Sequence, residues 1–151
     1  MVFAKKGVSA EVLDFVNDVL DKPGTGDAFL EEARQQLRTV CKADIWFLAY
    51  HVLGYKDIDT DLHHEMCDVW GRRAKRRVTL WLVPRGHLKT TLLTITDAIQ
   101  EKLRDPNHRH LITNAKLDNA EAILGEIKGH FESNELLRWL FPEYCWSHLR
   151  G

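Results

Sequence analysis

The stretch WLVPRGHLKTTLLT (81–94) sets two cations, Arg85 and Lys89, beside a glycine and two adjacent threonines, between two apolar runs. A Lys-Thr pair after a tight turn can hold the phosphates of a nucleotide. The ammonium of Lys89 acts as a point charge for β- and γ-phosphate oxygens. The Thr90 hydroxyl can ligate Mg²⁺, which prefers oxygen donors and binds nucleotides through their phosphates. Arg85 can grip phosphate bidentately, and Gly86 supplies a conformationally free residue where the turn must tighten. A helix starting here would add unpaired N–H groups and partial positive charge. The candidate nucleotide-binding residues are therefore Pro84, Arg85, Gly86, His87, Leu88, Lys89, Thr90 and Thr91. Arg85 and Lys89 are the candidate catalytic pair, with Thr90 as the Mg²⁺ ligand. The common phosphate loop, G-x-x-x-x-G-K-[ST], has glycine where this chain carries Val83 and Leu88. On pattern alone, an ordinary strand-to-helix turn with a solvated lysine explains the stretch equally well.

Phosphate chemistry needs a strand before the turn and a helix after it. VTLWLVP (78–84) is a short apolar run ending at proline and reads as a buried strand. TTLLTITDAIQEKLR (90–104) follows with helical periodicity, and Asp105-Pro106-Asn107 stops it. HLITNA (110–115) reads as a second strand, and LDNAEAILGEIKGHFESN (117–134) as an amphipathic helix facing inward through Leu117, Ala120, Ile123, Leu124, Ile127 and Phe131. The segment ELLRWLFPEYCW (135–146) reads as a helical turn plus loop. This order is a βαβ unit, which places ligands at the carboxyl ends of its strands.

The part before Val78 reads as all-helical. Ser9 caps a first helix and Asp27 a second, the latter with Phe29, Leu30, Ala33, Leu37 and Val40 on its apolar face. ADIWFLAYHVLGY (43–55) is apolar nearly all round, so it is predicted to be a buried helix ending at Gly54. The polar loop KDIDTD leads to a helix in LHHEMCDVWGRRAKRR (62–77). The expected fold class is thus α/β: a partial P-loop NTPase core over 78–151, preceded by a helical region over 1–77.

The chain of 151 residues carries a net charge of −1, so bulk electrostatics makes no case for a nucleic-acid or membrane partner, and any such case must be local. No apolar stretch approaches the ~20 residues of a membrane span. Cys41, Cys67 and Cys145 are odd in number and widely spaced, which suits a reducing intracellular compartment.

The string LVPRGHLKTTL resembles the deviant Walker A segment of large terminase subunits, the DNA-packaging motors of tailed bacteriophages, in which the turn often reads P-R-G-H-x-K-[ST]. IWFLAYHVLGYKDIDTDLHHEMCDVW resembles the helical lead-in of these motors, and HLITNAKLDNAEAILGEIKGHFESNELLRWLFPE their second strand and following helix. The likeness runs from about residue 40 to residue 143. It implies an ATPase that binds ATP and Mg²⁺ to drive packaging of double-stranded DNA into a prohead. Lys89 and Thr90 would hold phosphate and Mg²⁺, and Arg85 would sense the γ-phosphate as an arginine finger in cis. The region Tyr55 to His64 would lie where these motors hold adenine. The implied partners are double-stranded DNA, a portal protein and a small terminase subunit, with homo-oligomerisation and no membrane. The implied location is the cytoplasm of the bacterial host.

The same family also uses a Walker B strand ending in Asp-Glu and a nuclease domain, and no apolar-Asp-Glu run follows Ala115. The chain is therefore expected to be a front portion, inactive alone. Two strands without their sheet neighbours would leave unpaired edges, predicting either a rearranged fold or an apolar patch that oligomerises. Other function classes stay in view: a different P-loop ATPase, disfavoured by Leu88, or a non-enzymatic helical interaction module with a degenerate phosphate loop. RRAKRR (72–77) reads as a solvated helix end, with DNA-backbone contact as its second reading. His108 and His110 could share a strand face but lack a third metal ligand, His63-His64 is a poor helical ligand pair, and the scattered tryptophans suit a core.

Overall fold

The computed structural model describes residues 27–72 and 78–145. The predicted Ser9-capped helix and most of RRAKRR lie outside them. Helix α1 spans Asp27–Ala43, with Ala33, Leu37 and Cys41 buried at helical spacing. Asp44 ends it and starts the next. Its carboxylate accepts from the Phe47 N–H at 2.9 Å and caps α2, Ile45–Phe47. Helix α2 continues as a π-helical turn, Leu48–Val52, and Gly54 closes it at φ +85°, as the sequence leads one to expect. The loop after it is pinned rather than loose: Ile58 is fully buried and its carbonyl accepts from the Trp46 indole at 3.0 Å. Helix α3, Asp61–Gly71, follows with Thr60 at its N-cap.

The second half differs from the expectation. Among the described residues there is no strand. Residues 78–84 and 109–114 are neither helical nor paired into a strand, and the alternate exposure of Leu80 to Val83 is that of extended backbone. The βαβ unit and the partial P-loop NTPase core are therefore not formed, and the fold among the described residues is helical. Between the extended segments runs a continuous helix that begins at Lys89, opens into a π-helical turn over Thr91–Thr96 and ends as α4, Asp97–Arg104. The Thr96 hydroxyl donates to the Thr91 carbonyl at 2.9 Å, five residues back, which fits the wide turn. Helix α5, Leu117–Ser133, and α6, Glu135–Leu140, complete the body, with a 3₁₀ turn at Pro142–Tyr144.

The α4 segment is buried on two sides, which explains its apolar run. Ile95, Ile99 and Leu103 join Leu37, Phe47, Leu48 and Phe141 in the larger core. Leu92 and Leu93 turn to a smaller core with Trp46, Ala49, Ile58 and Met66. Gln100, almost fully buried, donates to the Cys41 carbonyl at 2.9 Å, as a buried amide must. Side chains from both sides of residue 77 thus share these cores. Helix α5 is only half docked: Ile123, Ile127 and Phe131 lie against the larger core, but Leu117 and Leu124, expected inside, are exposed. No helix among the described residues is long and apolar enough to cross a membrane.

Candidate functional site

Leu80 to Val83 alternate between exposed and half-buried, so only one side of this stretch is covered. Trp81 and Val83 pack on the smaller core, beside Trp70 and Leu88. Val78, Leu80 and Leu82 point the other way and are 86%, 80% and 86% exposed. The Trp70 and Trp81 rings meet at 5.8 Å, and the Trp70 indole donates to Asp97 Oδ1 at 2.8 Å. That contact ties the extended segment to the start of α4. The Trp81 indole N–H is buried without a hydrogen-bond partner, an unfavourable feature at this anchor.

At Pro84 the chain turns through Arg85 and Gly86. Gly86 takes φ +86°, the conformational freedom expected of it. Leu88, at the position where a phosphate loop has its second glycine, also takes a positive φ, +47°. Pro84, Arg85 and Thr90 are exposed, and His87, Leu88, Lys89 and Thr91 half-buried. His87 Nδ1 lies 3.1 Å from the Arg85 carbonyl, a contact that requires the Nδ1–H tautomer. The decisive contact is that of Lys89: its ammonium donates to the Val83 carbonyl at 2.7 Å. The cation expected to reach outward to a phosphate is bonded back onto the segment that enters the turn.

The turn therefore does not fit ATP-Mg²⁺. Lys89 closes on its own backbone, and among the described residues no strand feeds the turn and no group of three or more His, Cys, Asp or Glu side chains could hold a metal ion. The expected ATPase activity, its cofactors and the P-loop description are corrected accordingly. The His108 and His110 rings do come together, 4.6 Å apart, but the described residues bring no third metal-ligating side chain to them.

A polar chain that spacing did not reveal joins α2 to α5 and α6. The Asn134 Oδ1 accepts from the Leu137 N–H at 2.8 Å, capping α6. The Asn134 amide donates to the Val52 carbonyl at 2.9 Å and faces His130 Nδ1 at 3.4 Å. The Tyr55 hydroxyl lies 2.8 Å from His130 Nε2 and donates to Glu126 at 2.6 Å. With its one proton given to Glu126, the hydroxyl accepts from Nε2–H, which leaves Nδ1 as the acceptor toward Asn134. Burial lowers the His130 pKa, against an opposing pull from Glu126. Burial, together with Glu126, pushes the Tyr55 pKa well above its usual value. These groups fill each other's hydrogen-bonding capacity and read as a structural tie. The cysteines are poor nucleophiles for a similar reason: burial and the nearby Asp44 push the Cys41 thiol up to about 12, and Cys67 is raised as well.

Set against protein-family models, curated proteins and solved structures, the chain matches none of them. With no family match and no strand among the described residues, the resemblance to large terminase subunits does not hold: LVPRGHLKTTL is a string of matching residues set in a different architecture.

Proposed function

We propose that this chain is a non-enzymatic helical interaction module, which displays the extended segment 78–83 beside a cationic turn that has lost any nucleotide role. One observation carries this reading: Lys89 is satisfied by the Val83 carbonyl while Val78, Leu80 and Leu82 stand in solvent. Contiguous exposed apolar side chains on an otherwise folded body mark interaction sites. They also cost solubility, which a purely structural segment has no reason to bear.

Two measurements test it. Titrating ATP or ADP with Mg²⁺ into the wild type and into Lys89→Ala gives no saturable binding in either. Saturable binding by the wild type that Lys89→Ala abolishes would restore the phosphate-loop reading. In denaturant melts, the double substitution Leu80→Ser, Leu82→Ser changes folding free energy by no more than about 0.5 kcal/mol, the usual range for exposed positions. A loss of several kcal/mol would place these side chains in a core and remove the display surface.

A further inference from the structure

Building on that reading, we infer that residues 78–83 accept an extended acidic segment of a partner protein as an added β-strand. Three features of the segment select this occupant. Its backbone is free to pair: Val78 to Leu82 make no backbone hydrogen bond to another described residue, and only the Val83 carbonyl is taken, by Lys89. Its side chains alternate, Trp81 and Val83 gripping the body while Val78, Leu80 and Leu82 form a continuous apolar row. At a strand's rise, six residues give an edge of roughly 20 Å. Strand addition uses main-chain bonds for affinity and alternate side chains for selectivity.

Charge chooses between the possible occupants. From Val69 to Thr96 the sequence carries RRAKRR, Arg85 and Lys89 and neither Asp nor Glu, within a chain whose net charge is −1. The cations flank the apolar row on both sides in sequence. A second copy of this segment would bring like-charged flanks together, and like charges across a ladder are unfavourable. A nucleic acid would answer the charge but leave the apolar row of Val78, Leu80 and Leu82 without a partner. An extended polypeptide with apolar residues beside the row and acidic residues at its two ends answers the backbone, the row and the charge together.

The test uses the whole chain and three synthetic peptides of equal length: a strand-forming middle with alternate apolar residues and Glu at both ends, the same middle with Lys at both ends, and the Glu peptide with its order scrambled. Binding is read by fluorescence anisotropy, and pairing by amide exchange at residues 78–83. The Glu-ended peptide is expected to bind at least about tenfold more tightly than the other two, more tightly still at low salt, and to slow exchange at these amides. The Leu80→Ser, Leu82→Ser variant should weaken that binding by about tenfold or more. Equal binding of all three peptides, or binding without amide protection, overturns the inference. A DNA duplex that binds more tightly than the peptide, and keeps doing so in the double variant, assigns the surface to nucleic acid instead. Self-association of the free chain that the double variant abolishes assigns it to a second copy. In these last two cases the interaction-module reading survives and the acidic-strand inference falls, whereas saturable, Lys89-dependent nucleotide binding would remove the module reading itself.

Discussion

Leu88 holds φ at +47°, a conformation that costs a residue with a Cβ about 1–2 kcal/mol. Its side chain recovers some of that by packing on the smaller core. The two contributions separate by substitution. Both Leu88→Ala and Leu88→Gly lose the packing, but only glycine relieves the backbone. Leu88→Gly is therefore expected to be the more stable of the two by about 1 kcal/mol in urea melts. Alanine equal to or better than glycine would mean that the positive φ is not held in solution. The same residue shows where reading the chain by pattern fails. Leucine in place of the loop's second glycine was visible in the sequence. Lys89 turning back to Val83 was not, because a lysine's reach is set by what surrounds it and not by its spacing from a threonine.

At the scale of elements, caps and stops were the most legible features. Gly54 ends the α2 segment, and Asp105 to Asn107 end α4. These are local chemistry, decided by one side chain and its own backbone. The strands were not legible in this sense, since VTLWLVP and HLITNA have strand composition but a strand exists only when another pairs with it. Helical periodicity also put Leu117 and Leu124 inside, yet the apolar contacts of α5 with the larger core are those of Ile123, Ile127 and Phe131. The tie that docks it, from Asn134 through His130 to Tyr55 and Glu126, has a pH consequence. The folded-state pKa of His130 lies below its ordinary value because burial opposes the charge, and the same holds for His51. Protonation then favours the unfolded chain. Stability is retained above the ordinary histidine value of 6.5 and falls as the pH drops below it. His130→Gln should flatten that slope in part, with His51 responsible for the remainder. An unchanged slope in His130→Gln would show that the imidazole is not held neutral by this tie.

On the scale of the whole molecule, helices from both sides of residue 77 bury two adjoining cores, and Trp81 and Val83 pack on the smaller one while Val78, Leu80 and Leu82 are exposed. The expectation of unpaired edges and exposed apolar faces was drawn from a chain with too few strands. Exposed apolar residues are indeed found, at Val78, Leu80, Leu82 and Leu111, although the architecture around them is helical. Residue-resolved amide exchange of the free chain is the most direct test of this picture. Amides of Thr79 to Val83 should exchange nearly as fast as those of an unstructured peptide, while those of Ile99 to Leu103 should be slowed by roughly a thousandfold or more. Protection at Thr79 to Val83 comparable to that of α4 would reveal a paired strand entering the turn, and would contradict the open, partner-seeking segment proposed for this protein.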